Sequence, residues 1–167
     1  VMHLTEKLLE ACEYKFSRYF EITQTDKETL LLAALGHDLG HIAFSHSLED
    51  RNMKTHEQRT IEYFEECSQQ INDIFGYDIV SKVIEVYKDN LDIKKQGKGF
   101  KMEDKLDILF IFKSLLIGSI DCDRMEYITS DRFNVLGEKV NFQEIFRYIT
   151  IVLLNDSPTV GFEKDAV

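Results

Sequence analysis

Residues 35–57 read LGHDLGHIAFSHSLEDRNMKTHE. Four of the chain's five histidines, His37, His41, His46 and His56, fall in this one segment. The segment follows directly on the apolar run TLLLAALG, residues 29–36. A buried helix that runs into such a turn carries polar groups to the edge of the core. Without a partner each would cost about 1–3 kcal/mol to bury. His37 and His41 lie four apart, so they share a helix face if the helix continues through them. Asp38 stands beside His37. An imidazole nitrogen next to a carboxylate oxygen suits one divalent cation, whether Mn, Fe, Ni, Zn or Mg. His3 lies apart from this group and reads as an ordinary surface or core histidine.

Outward from this turn the chain is helical in pattern. MHLTEKLLEACEYKF carries Leu4, Leu8, Ala11 and Tyr14 at helical spacing. In TQTDKETLLLAALGHD, Thr25 or Asp26 is the expected N-cap, with Glu28 or Thr29 in the first turn. The run that follows is apolar all round and predicts a central, buried helix. Gly40 is the expected left-handed terminator. THEQRTIEYFEECSQQI starts at a Thr55 cap and puts Ile61, Phe64 and Cys67 on one face. YDIVSKVIEVYKDN places Ile79, Val80, Val83, Ile84 and Tyr87 on another helix. MEDKLDILFIFKSLLIGSID predicts a buried helix and DCDRMEYITSDRF a further one. The tail changes character: β-branched and aromatic residues flank an NDSP turn, which predicts a hairpin from Arg147 to Phe162. Pro158 is the only proline, so nothing interrupts long helices. The expected fold is a mostly α helical bundle with a small C-terminal β-hairpin.

Composition narrows the functional classes. A 44% hydrophobic content supplies a packed core. No apolar run reaches the roughly 18 residues that suggest a membrane span. Cys12, Cys67 and Cys122 follow no disulfide or metal-binding spacing, which fits reduced thiols and a cytoplasmic setting. The net charge is −10, and the one basic cluster, Lys94 to Lys101 within IKKQGKGFK, reads as a solvated loop. That balance argues against a nucleic-acid partner. An anionic small substrate is admissible only where a metal or a few placed cations reverse the local field.

The ordered set HDLGHIAFSH, then THEQ, then GSIDCDRMEYITSD resembles the HD-domain phosphohydrolases. Within them it looks like the deoxynucleoside triphosphate triphosphohydrolase branch, which includes the dGTPases and the SAM- and HD-domain enzymes. The likeness runs from Val1 to about Gly137. It implies an HD-type helical core over residues 1–146, and over 147–167 a hairpin and the start of a further region. It implies metal-dependent hydrolysis at the α-phosphorus, releasing a deoxynucleoside and intact inorganic triphosphate. The expected metal ligands are His37, Asp38 and Asp123; the motif pattern favours Asp123 over Asp121. His46, Glu49 and His56 match catalytic positions. Either His46 or His56 is the general acid, and Glu49 stands where relatives more often carry aspartate. His41 and Arg124 match phosphate-binding positions, and Tyr127 and Asp131 match positions that meet the sugar. Glu57 is expected to cap or orient the His56 helix, while Glu126 and Arg132 are left as structural.

By the same resemblance, a first histidine ligand and a phosphate-contacting arginine precede Val1 in relatives. The chain is therefore expected to be a fragment, binding metal weakly and inactive by itself. The expected partners are a nucleotide substrate, a nucleotide activator as in some relatives, and further copies of the chain in a homo-oligomer, with no membrane. Two other readings stay open: a different HD activity, such as a 5′-nucleotidase or phosphodiesterase, and a regulatory domain that binds nucleotide without cleaving it.

Overall fold

Helix α1 (Met2–Phe16) turns its Thr5, Leu8, Leu9, Cys12 and Phe16 stripe inward in the computed structural model of the chain. The structure describes residues 1–18, 21–42, 54–88, 115–116, 122–154 and 157–163. The fold is mostly α, with one small hairpin near the C-terminal end. Among the described residues no helix is long and apolar enough to cross a membrane.

Helix α2 (Gln24–Gly36) packs against α1 and buries Thr29, Leu30, Ala33, Ala34 and Gly36. Its cap is Thr23, two or three residues earlier than the sequence pattern suggests. Thr23 Oγ1 accepts the Asp26 N–H at 3.2 Å, and the Asp26 carboxylate accepts the Thr23 N–H at 3.0 Å. Asp26 stands at the third helical position counted from Thr23, where this reciprocal pair closes. Thr25 instead spends its carbonyl on the Thr29 hydroxyl, 2.8 Å away. The helix is central but not buried all round, since Leu35 is 65% exposed.

Helix α3 (His56–Glu66) begins at the expected Thr55 cap, closed by Gln58 in the same reciprocal way. It buries Thr60 and Phe64, with Ile61 partly covered. Cys67 does not join that face. It is exposed at a break in helical geometry (φ −96°, ψ 8°), after which α4 (Ser68–Phe75) sets off. Gly76 ends α4 in the left-handed region at φ 76°. Asn72 Oδ1 then accepts the Ile79 and Val80 N–H groups, so the chain turns directly into α5 (Val80–Lys88).

Helix α5 packs on both α2 and α3, and Val80, Val83, Ile84, Val86 and Tyr87 are all buried. Leu115 and Leu116 are helical and buried. The rest of the helix expected over 102–121, like the lysine loop, lies outside the described residues. Helix α6 (Cys122–Leu136) packs on α1 through its first turn, burying Cys122 and Met125. Short α7 (Phe142–Phe146) leads into strands β1 (Ile149–Leu154) and β2 (Ser157–Phe162). They pair antiparallel, Ile149 opposite Phe162 and Leu154 opposite Ser157, within the span the tail pattern predicts. Ile149 is fully buried. Lys15 ties the hairpin to α1, donating to the Arg147 carbonyl at 3.1 Å and to Glu163 at 2.8 Å.

Cys12 and Cys122 sit in the core at 0% exposure, and burial, aided by Cys122, pushes the Cys12 thiol up to about 12. Such thiols are inert in the folded state. In a thiol titration of the native protein Cys67 reacts first and alone; the Cys67→Ser variant shows no fast phase until denaturant is added.

Candidate metal centre

The cluster is built where α2 runs out. The helix stops at Gly36, and His37 to Gly40 form a turn rather than another helical turn. Leu39 N–H donates to Gly36 O and His41 N–H to Asp38 O, each at 3.1 Å and each three residues back. His37 and His41 therefore do not share a helix face; the tight turn, not a helix, brings their rings to one carboxylate. Gly40 does not adopt a left-handed conformation. Among the described glycines only Gly76 and Gly137 have positive φ. Gly40 is instead a point of close approach, where a Cβ would lie 1.8 Å from the His56 carbonyl oxygen.

His37 defines the centre. Its Nδ1 lies 2.8 Å from the Ala34 carbonyl oxygen. A carbonyl only accepts, so Nδ1 carries the ring proton and Nε2 presents a bare lone pair. That Nε2 is buried and makes no hydrogen bond. It lies 3.0 Å from Asp38 Oδ2 and 3.5 Å from Asp123 Oδ1. One ligand atom from each of the three residues falls within 4.8 Å of the others. Three acceptors facing one another repel unless a cation sits among them. One imidazole nitrogen and two carboxylate oxygens suit a divalent first-row ion or Mg²⁺. Asp123 arrives from the first turn of α6, where the helix dipole favours a carboxylate.

A second layer adjoins this cluster. Asp38 turns its other oxygen toward His41 Nε2 at 3.3 Å. The His41 ring stacks on that of His56, centroids 4.2 Å apart and planes 13° from parallel. Glu57 Oε1 lies 3.1 Å from His56 Nε2, so the carboxylate expected to orient this helix touches the ring itself. Tyr87, from α5, donates its hydroxyl to the Ala33 carbonyl in the last turn of α2. Burial, and secondarily the Asp38 charge, pushes that phenol well above its ordinary range.

Of the site residues read from the sequence, the structure thus gathers His37, Asp38 and Asp123, with His41 and His56 beside them. Arg124, Tyr127 and Asp131 lie on the exposed surface of α6, and the interval of four puts Asp123, Tyr127 and Asp131 along one stripe. His46, Glu49 and Asp121 lie outside the described residues. The sequence reading passed over Thr60 and Arg59 and took Tyr87 only as part of a helix face. The available signal was the interval of four from His56 through Thr60 to Phe64, which sets a hydroxyl on the buried face of a polar helix.

A family model described as HD domain matches residues 1–111, a span that contains the His37-Asp38 doublet. No curated protein matches the chain.

A cation that binds only the folded chain stabilises it, by about 2.7 kcal/mol at one hundred times its Kd. Calorimetry with Mn²⁺ against chelator therefore shows a higher Tm with metal. Asp123→Asn removes most of that increment. The metal-free variant is at least as stable as the metal-free parent, because an amide relieves the facing acceptors.

Proposed function

The chain belongs to the HD domain family, whose members are generally metal-dependent phosphohydrolases, and on that premise we propose that it hydrolyses deoxynucleoside triphosphates to deoxynucleoside and inorganic triphosphate. The observation that carries the hydrolytic reading is the unpartnered, buried Nε2 of His37 between two carboxylates. The finer substrate assignment rests on the likeness of HDLGHIAFSH, THEQ and GSIDCDRMEYITSD to the triphosphohydrolase branch.

His37, Asp38 and Asp123 are the side chains that would hold a divalent ion. A divalent cation there supplies Lewis acidity toward a phosphoryl oxygen and toward water. The chain itself provides the rest. Its net charge of −10 repels a triphosphate everywhere except where cationic groups converge. Arg124, one residue after Asp123, brings such a charge, and His41 offers a further donor to phosphate oxygens. The contacts of His56 with the His41 ring and the Glu57 carboxylate support a role in giving a proton to the departing 5′-oxygen. His46 is the other candidate for that proton. Tyr127 and Asp131, farther along α6, are the side chains that would meet the sugar. We propose also that the working form is a homo-oligomer.

Each of the four deoxynucleoside triphosphates, singly and mixed, is incubated with Mn²⁺ or Mg²⁺ and the protein carrying the upstream histidine and arginine that the resemblance expects, and products are separated chromatographically. The expected products are deoxynucleoside and intact triphosphate. Orthophosphate or monophosphate would instead place the chain with another HD activity, such as a nucleotidase or phosphodiesterase. Turnover in the mixture alone would reveal a nucleotide activator. His56→Ala lowers kcat by about 10²–10⁴-fold while nucleotide binding persists. Binding without turnover in the parent protein would leave a regulatory domain as the better reading.

A further inference from the structure

The turn that carries the metal ligands and the helix that carries His56 are joined by a buried contact with no assigned role. Thr60 is fully buried on α3, one turn after His56. Its Oγ1 accepts the Gly40 N–H at 3.0 Å, across a gap of twenty residues in sequence. The Gly40 carbonyl accepts the Arg59 Nε–H, and the Arg59 guanidinium also donates to the Lys54 carbonyl. Both backbone polar groups of Gly40 are therefore held by consecutive side chains of α3. The fit leaves no slack: a Cβ on Gly40 would meet His56 O at 1.8 Å and Thr60 N at 2.8 Å. Gly40 lies between Asp38, which faces the cation cluster, and His41, whose ring stacks on His56.

We propose that Thr60, assisted by Arg59, is a positioning residue: its hydroxyl sets the spacing between the cation cluster and the His56 ring. The proposal rests on the reading of this centre as a hydrolase in which His56 handles a proton. Thr60 itself touches neither the cation cluster nor the reacting ester; it acts through Gly40. A buried backbone N–H needs an acceptor, and here only a side chain of the partner helix supplies it. Loss of that acceptor lets the two elements slide, and misplacement by about 1 Å costs on the order of 100-fold in rate.

The test compares Thr60→Val, which keeps the shape and loses the acceptor, with Thr60→Ser, which keeps the acceptor. Readouts are kcat and KM for the best deoxynucleoside triphosphate, Mn²⁺ affinity by calorimetry, and the imidazole C–H resonances of His41 and His56 by NMR. Stacked rings shift each other's protons upfield. The expected result for Thr60→Val is a fall in kcat of about 100-fold. KM and Mn²⁺ affinity stay close to the parent's, and the ring-current shifts of both imidazoles disappear. Thr60→Ser restores all of these. Arg59→Met, at a half-buried position, carries the same expectation in weaker form and stands in if Thr60→Val does not fold. Parent-like kcat in a folded Thr60→Val, or equal losses in the Val and Ser variants that track Tm, would overturn the proposal. If the parent turns over no nucleotide, the proposed reaction fails separately, and the imidazole resonances decide: unchanged shifts in Thr60→Val overturn the positioning role.

Discussion

The hydrogen bond from His37 Nδ1 to the Ala34 carbonyl, 2.8 Å long, governs the chemistry of this end of the bundle. It fixes the proton on one ring nitrogen and aims the lone pair of the other at Asp38 and Asp123. It also satisfies one of the carbonyls that a helix leaves open in its last turn. Tyr87 donates to the neighbouring carbonyl of Ala33. The end of α2 is thereby closed by side chains that also shape the site. The electrostatic consequence is an arrangement of acceptors that is unfavourable when empty and favourable around a cation.

Small residues let the elements come close enough for this to happen. Ala33, Ala34 and Gly36 form the buried surface at the end of α2. A Cβ on Gly36 would sit 2.6 Å from the Phe64 ring, so α3 can lie directly against α2 only because glycine stands there. Gly40 repeats the device one turn of chain later against the backbone of His56. Between these two contacts the doublet is pinned to α3, and the stack of His41 on His56 follows. The same core that stabilises the fold therefore sets the distance between the His37, Asp38 and Asp123 cluster and an imidazole pair.

Several elements were legible because their causes are local. Leu4, Leu8 and Ala11 on α1, the Thr55 cap, and the Val80, Val83, Ile84 and Tyr87 face of α5 all follow from spacing along one helix, whereas Tyr14, read at the same spacing on α1, is exposed. The β-branched and aromatic residues flanking the NDSP turn likewise anticipated a hairpin. The misreadings arose where two local rules competed or where a distant contact intervened. Thr25 with Glu28 offers the same spacing as Thr23 with Asp26, and in the fold Glu28 instead accepts the distant Tyr77 hydroxyl while Thr23 and Asp26 close the cap. Gly40 was read for conformational freedom, yet it is required for absence of volume against α3. Cys67 matched an apolar periodicity, but the helix breaks there and leaves the thiol in solvent.

For the site, the sequence by itself determined the chemical inventory: a histidine-aspartate doublet after an apolar helix, further imidazoles downstream, and carboxylates at the start of a distant helix. It also determined that an acidic chain of this kind needs a local source of positive charge to meet an anion. Only the tertiary structure decided that Asp123 reaches the same point as His37 and Asp38, since that depends on α6 packing beside α1 and α2 ending just there. It alone decided the stacking of His41 on His56 and the contact of Gly40 with Thr60. The physical reason is range. Helical periodicity and capping act over a few residues, whereas ligand convergence is set by how closely whole helices pack.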